Sequence, residues 1–200
     1  FDDRLGVSLG IRVDQDNFTI DNNLLKNFSP RIAVSWSISK NNRWKLNFAT
    51  GRYFKIPTYT ILGFKNLNNN FVNNDSKYTR SDHLVFGIEF NNSESSRFSL
   101  EAFNKRYNNY PISINDMVSL ANKGGDFEVL GNENVSTSGR GKSYGIEFLY
   151  QQKLKNNFYG ILSYTFFYSK FSGFDKVFLP SVWAVSYTHL TLPTRKRGGG

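Results

Sequence analysis

The chain has 200 residues, of which 39% are hydrophobic, 16% aromatic and 20% charged, and its formal net charge is +9. This composition is too apolar for a disordered chain, and the length suits one domain or a segment of a larger protein. Because the sequence has no cysteine and only two histidines, disulfide scaffolds, cysteine-ligated metal sites and multi-histidine sites are excluded. We expect neither a metal site nor a cofactor.

Alternation of apolar and polar residues is the dominant signal along the chain, and it predicts seven β-strands. In chain order, the apolar positions are Leu5, Val7, Leu9, Ile11 and Val13; Ile32, Val34, Trp36 and Ile38; Trp44, Leu46 and Phe48; Leu84, Phe86, Ile88 and Phe90; Phe98, Leu100 and Ala102; Tyr144, Ile146, Phe148 and Tyr150; and Phe158, Gly160, Leu162, Tyr164, Phe166 and Tyr168. None of them is charged. Successive side chains of a strand point to opposite faces, so each strand has one uncharged face.

The opposite faces of the predicted strands carry charges in mid-strand, at Arg12, Lys45, Glu89, Glu101 and Glu147. We expect these five side chains to line a hydrated interior on the polar side of the sheet, where the carboxylates form ion pairs with cations such as Arg12 and Lys45. An apolar outside and a polar inside are typical of a transmembrane barrel.

The predicted connections alternate between short and long. Residues 39–42, 91–96 and 153–157 form short links, whereas 14–29, 52–80 and 104–142 form long ones. In an antiparallel up-and-down meander every second connection lies at the same end of the sheet. The sequence therefore predicts one end with tight turns and one with long loops, as in outer-membrane barrels.

Aromatic residues flank the short turns in pairs: Trp36 with Trp44, Phe90 with Phe98, and Tyr150 with Phe158. Such rings are typical of the girdle at a membrane–water interface. At the long-loop end, Tyr53, Tyr107, Tyr144 and Tyr168 are candidates for a second girdle.

Residues 184–200 break the pattern and carry three of the basic residues, Arg195, Lys196 and Arg197. We expect this stretch to be a foreign or disordered tail, and we assign the partial barrel to residues 1–183. The chain opens FDDRLG, so we expect it to begin inside a longer protein.

Five stretches carry a family likeness: NFATGRYFKIPTY (47–59), LEAFNKRYNNYPIS (100–113), LANKGGDFEVLG (120–131), GRGKSYGIEFLYQQKL (139–154) and YGILSYTFFYSKF (159–171). In their order and spacing they resemble the barrel region of TonB-dependent outer-membrane receptors, particularly those of the Bacteroidetes type. The resemblance covers residues 1–183.

The resemblance implies an open segment of a roughly 22-stranded transmembrane β-barrel. It also implies a receptor in the outer membrane of a Gram-negative bacterium that imports a siderophore, haem, cobalamin or glycan. Energy would come from the TonB complex, through a plug domain that this sequence lacks. The implied partners are outer-membrane lipid, the TonB complex and a surface lipoprotein. For ligand contacts we select Arg52, Tyr53, Tyr107 and Tyr110, where predicted strands enter long loops, because Arg and Tyr can hold anionic or aromatic groups.

The one motif that suggests an enzyme does not lie in the structural surroundings that catalysis would require. Gly141–Gly145 matches G-x-S-x-G, but Ser143 enters a strand directly instead of a strand–turn–helix elbow, so we predict no catalytic activity. Two alternative functions stay open: a passive porin-like barrel, and a soluble nucleic-acid-binding β-domain suggested by the positive charge. The second is disfavoured because the aromatic residues lie mainly on the uncharged face.

Overall fold

A computed structural model describes residues 4–20, 24–124, 129–155 and 157–184. These residues form one antiparallel sheet with the strand order β1-β2-β3-β4-β5-β6-β7-β8. The strands are β1 (Leu5–Val13), β2 (Phe28–Ser37), β3 (Trp44–Lys55), β4 (Thr79–Ser93), β5 (Ser96–Ser113), β6 (Val135–Lys155), β7 (Phe158–Ser172) and β8 (Phe178–Pro180). A 3-10 turn (Leu24–Asn27) and one helical turn, α1 (Tyr59–Leu62), lie in the connections.

Each strand pairs with its neighbours in sequence, so the predicted all-β up-and-down meander is confirmed, as an open sheet. The described strands are eight in number instead of seven. The additional strand, β8, contributes three residues that pair with β7. Its length is below that at which alternation can be recognised, which is why the sequence pattern did not predict it.

The register places the predicted apolar positions on one face of the sheet. One row crosses seven strands through directly paired residues: Val7, Val34, Phe48, Phe86, Ala102, Ile146 and Phe166. Directly opposed residues of antiparallel strands share a face, so these side chains form one continuous surface. The side chains of Val7, Phe86 and Ile146 are 57%, 52% and 47% exposed. No second layer of the described chain covers this face, and apolar surfaces of this extent are rare on soluble monomers.

Aromatic rings line up on this face beside the tight turns. Trp44, Phe90, Phe98 and Tyr150 occupy one row, with ring centroids 4.5, 6.4 and 4.6 Å apart in that order. At the other end, Tyr144 and Tyr168 pair on the apolar face, with ring centroids 5.6 Å apart. The prediction that Tyr53 and Tyr107 join this second girdle was wrong, because their register places them on the polar face.

Strands β3, β5 and β6 extend further toward the long loops than predicted. The loop expected over residues 104–142 shortens to 114–134, and that over 52–80 shortens to 56–78. Beyond Tyr144 the outward positions are polar, for example Arg106 and Lys142, which pair directly. On β5 and β6 the alternation of apolar and polar residues therefore ends at this level, whereas the backbone pairing of the two strands continues toward the loops.

The two longest loops share a small apolar core with the ends of β5 and β6. Ile61, Leu120 and Val135 are buried together there, and Tyr110 packs against them. Across the described ranges, no helix combines the length and apolar character needed to cross a membrane.

Candidate ligand cavity on the polar face

A cavity of about 480 Å³ lies on the polar face where the sheet meets the long loops. Register brings its wall together, because Tyr53, Ser81 and Tyr107 are direct partners across β3, β4 and β5. Loop residues close one side, among them Pro57, Ile61 and Trp183. Aromatic and aliphatic groups dominate the lining, with hydroxyl groups between them, as is common for cavities that bind small molecules.

Tyr53 lies between two nitrogen-bearing side chains. The guanidinium carbon of Arg31 lies 4.4 Å from the Tyr53 ring centroid, and the His83 ring centroid lies 4.5 Å from it. Gly51 permits this arrangement, since a Cβ there would approach both Arg31 Cγ and Tyr53 Cε2 to 3.2 Å. Ser81 Oγ and His83 Nε2 are 2.6 Å apart, within hydrogen-bonding distance.

Phe171 is the centre of an aromatic cluster on the other side of the cavity. Its ring centroid lies 5.3 Å from that of Tyr107, 4.4 Å from that of Tyr110 and 5.7 Å from that of Trp183. Gly141 provides the room for the Phe171 ring, because a Cβ at this position would lie 2.3 Å from Phe171 Cε1. Three of the four residues selected from the sequence, Tyr53, Tyr107 and Tyr110, therefore line one cavity.

Arg52, the fourth selected residue, lies on the opposite face of the sheet. It pairs with Asp82, and its Nε donates a hydrogen bond to Asp82 Oδ1 at 2.7 Å. Adjacent residues of a strand point to opposite faces, so Arg52 cannot share a face with Tyr53. The structure brings the tyrosines together and leaves Arg52 outside.

The five charged residues expected to line the interior lie on the polar face, at different heights. Glu89 lies in the register between Lys45 and Ser99, and its carboxylate lies 3.6 Å from Arg97. Glu101 and Glu147 are direct partners of each other. Arg12 pairs with Asp14 at 2.6 Å instead of with any of these glutamates. None of the five lines the aromatic cavity.

The loop 56–78 is tied to the loop 114–134 through Asn73. The side chain of Asn73 is buried, and its Nδ2 donates to the carbonyl oxygens of Ile61 and Glu133, both at 2.8 Å. Its Oδ1 accepts a hydrogen bond from the backbone N–H of Val135 at 3.0 Å. One amide therefore satisfies three backbone groups at the edge of the cavity.

A charged cluster supports the second of these loops. Lys123 Nζ lies 2.6 Å from Asp116 Oδ2 and 2.7 Å from Glu133 Oε1, and Ser113 Oγ donates to Glu133. The hydrogen bond and charge of Lys123 lower the pKa of Asp116. The two carboxylates in turn raise the pKa of Lys123.

The first long connection is fixed to the second through Asp16. Its carboxylate accepts hydrogen bonds from Tyr78 Oη at 2.7 Å and from the backbone N–H and hydroxyl of Thr19 at 2.7 and 2.9 Å. Burial alone would raise the pKa of Asp16, but these hydrogen bonds outweigh it and lower the pKa. Burial, followed by the hydrogen bond and charge of Asp16, raises the pKa of Tyr78. The three long connections at this end, 14–27, 56–78 and 114–134, are therefore linked.

The G-x-S-x-G serine lies within a strand. Ser143 pairs with Lys105 on β5 and with Ser169 on β7, and it lines the cavity. A strand on both sides of the serine rules out the elbow geometry of a hydrolase at this position.

Among the residues that were not predicted from the sequence are His83, Phe171 and Trp183, which line the cavity, and Arg31, which contacts the ring of Tyr53. A signal existed for Phe171, because extending the alternation of β7 beyond Tyr168 places an aromatic ring on the polar face. Trp183 follows the strands and has no periodic signal, although its ring contacts Phe171.

The arrangement can bind a solute through apolar contact and hydroxyl hydrogen bonds. Among the described residues, no group of three or more His, Asp and Glu side chains could hold a metal ion. The cavity lies on the polar face of a sheet whose other face is apolar and exposed.

Comparison with known proteins supports this architecture. The profile of one protein family, described as TonB dependent receptor-like, beta-barrel, matches residues 1–195. No curated protein matches the chain. The match extends over the first 12 residues of the stretch 184–200, which the sequence pattern assigns to a foreign or disordered tail; of that stretch, residues 185–200 lie outside the described part. The chain belongs to the TonB-dependent receptor β-barrel family, a family of outer-membrane transport receptors.

Proposed function

We propose that this chain forms part of the wall of an active-transport receptor in the outer membrane of a Gram-negative bacterium. The receptor imports a siderophore, haem, cobalamin or glycan, with energy from a TonB complex that acts through a plug domain. In this proposal the chain has no catalytic step, and its long loops, to which a surface lipoprotein could dock, face the cell exterior. The observation that carries the proposal is the two-faced sheet, with an apolar face suited to lipid and a ligand-sized cavity on the polar face.

The cavity supports a role in solute capture. It lies next to the linked long loops, where a solute from outside would first meet the wall. Tyr53, Tyr107 and Tyr110 present phenol rings there. Tyrosine combines a large apolar surface with a hydroxyl group, so these residues suit a ligand with both apolar and polar groups.

Uptake by the complete receptor tests this proposal. Cells that produce it are supplied in turn with a ferric siderophore, haemin, cyanocobalamin or an oligosaccharide as the limiting nutrient, with and without a protonophore. We expect uptake of one class to stop when the protonophore collapses the energy source. Uptake that persists would instead indicate a passive porin.

Tyrosine variants test the cavity itself. Replacing Tyr110 by Leu removes a cavity hydroxyl, and we expect a higher nutrient concentration to be needed for half-maximal uptake. The control is Tyr144→Leu, which makes the same change on the apolar face. Equal uptake by both variants would exclude the cavity as the ligand site.

A further inference from the structure

A row of charged residues crosses the outward face just beyond the apolar surface, at the long-loop end. Arg52, Asp82, Arg106, Lys142 and Lys170 are direct partners across five consecutive strands, β3 to β7. The next row outward adds Arg80 and Arg140. We name the six cations Arg52, Arg80, Arg106, Arg140, Lys142 and Lys170 the cationic belt.

The positive charge of the cationic belt is neutralised only in small part by carboxylates within the two rows. Asp82 is the single acidic residue in these two rows, and it pairs with Arg52 and Arg80 at 2.7 and 3.2 Å. Within the described ranges, no carboxylate lies within ion-pair distance of Arg106, Arg140, Lys142 or Lys170. Arg106 and Arg140 are exposed, so their charges are open to an external partner; Lys142 is exposed as well, with its Nζ 4.6 Å from the centroid of the Phe178 ring.

The belt begins where the apolar surface ends. The outward row directly below it contains Tyr144 and Tyr168. From Phe90, in the aromatic row at the tight turns, to Asp82 is a distance along β4 of about 27 Å at 3.4 Å per residue. With the ~40° tilt usual for barrel strands this is about 20 Å in height, close to the ~25 Å apolar band of outer-membrane barrels. The belt therefore lies at the level of lipid headgroups.

The two ends of the outward face differ. Beyond the aromatic row at the tight turns, the first outward row of β5 to β7 contains Ser96, Gln152 and Gly160, none of which is charged, and the next row contains one cation, Lys155. Strand ends that were merely solvated would not need six cations in two rows at the long-loop end and one at the other. The charge asymmetry points to an anionic partner on the side of the long loops.

We propose that the cationic belt binds the phosphate groups of anionic lipid in the outer leaflet, as a first shell of lipid around the receptor. Arginine and lysine are the usual phosphate-binding side chains, and each cation near a lipid surface adds to the attraction for anionic headgroups. Continuity of the belt with the apolar face favours lipid over a soluble partner, because one molecule can place its acyl chains on the apolar face and its phosphate on the belt. This inference rests on the proposed membrane location.

Lipid selectivity of the complete receptor tests the inference. The receptor is inserted into phosphatidylcholine vesicles that contain a trace of spin-labelled lipid, either phosphatidic acid or phosphatidylcholine, and the fraction immobilised at the protein surface is measured. The double variant Arg106→Gln, Lys142→Gln is expected to lose selectivity for phosphatidic acid by about fivefold for each cation removed. Added salt should reduce the selectivity of the parent receptor.

The matched control is the double variant Lys45→Gln, Lys105→Gln, which removes the same charge from the polar face. It should retain the selectivity of the parent. Equal selectivity in the belt variant and the control, or no preference for phosphatidic acid in the parent, would overturn the inference while leaving the transport proposal intact. Failure of the parent to insert into vesicles would contradict the transport proposal itself.

Discussion

Replacement of Asn73 by Ala should open the linked loops without unfolding the sheet. The substitution removes two donors from the carbonyl oxygens of Ile61 and Glu133 and one acceptor from the Val135 N–H. The Ile61 carbonyl oxygen keeps the backbone N–H of Phe64 as a donor, whereas the Glu133 carbonyl oxygen and the Val135 N–H lose the side-chain partner. A buried polar group that loses its partner costs about 1–3 kcal/mol, so two such groups cost at least about 2 kcal/mol. Every 1.4 kcal/mol is tenfold, and we therefore expect local opening to become about 30-fold more frequent.

Amide hydrogen exchange on the complete receptor in micelles measures this opening. The reporters are the backbone N–H groups of Leu62 and Leu120, which donate to the carbonyl oxygens of Thr58 and Pro111 and not to Asn73. Their protection should fall, while that of the sheet stays constant. The control is Asn70→Ala, since the Asn70 side chain is exposed in the same loop. Unchanged protection at both reporters in the Asn73 variant would refute the role assigned to this side chain.

Two further substitutions test the packing and electrostatics of this end of the sheet. Gly141→Ala should lower the free energy of unfolding by about 1–3 kcal/mol, measured by denaturant unfolding, because the added Cβ overlaps the Phe171 ring. The control is Gly160→Ala, which should be neutral because the nearest atom to its added Cβ lies 3.6 Å away. Since the pKa of Asp116 is lowered in the folded state, its stabilising ion pair is complete above the usual pKa of about 3.9 and is lost as the pH falls through the lowered value. Exchange protection of the 114–124 segment should therefore decline at acid pH, and Lys123→Gln should reduce that decline; an identical profile in both proteins would contradict the assignment.

The strands were predictable wherever membrane and interior impose opposite polarities. The row through Phe48, Phe86 and Ile146 follows from alternation alone, because one face must be apolar over the whole band. Above that band the outward positions of β5 and β6 become polar, and alternation no longer distinguishes strand from loop. The ends of these strands depend on backbone pairing, which the residue pattern does not reveal.

The cavity was predictable only in part. Tyr53 and Tyr107 could be selected because both lie on strands that enter long loops. Arg52 was selected by its position in sequence, although alternation already separates it from Tyr53. Asn73 and Trp183 reach the cavity region through loop conformations, and such contacts depend on tertiary packing that leaves no periodic trace in the sequence.

The central claim is that one face of the sheet meets lipid and the other meets water, and β4 offers the most direct test. Spin labels are placed singly at positions 84 to 89 of the complete receptor in lipid vesicles, and their collisions with oxygen, which partitions into lipid, and with a water-soluble nickel chelate are measured. We expect strict alternation, with Leu84, Phe86 and Ile88 accessible to oxygen and Val85 and Glu89 accessible to the chelate. Equal accessibility at successive positions, or chelate contact at Phe86, would contradict it.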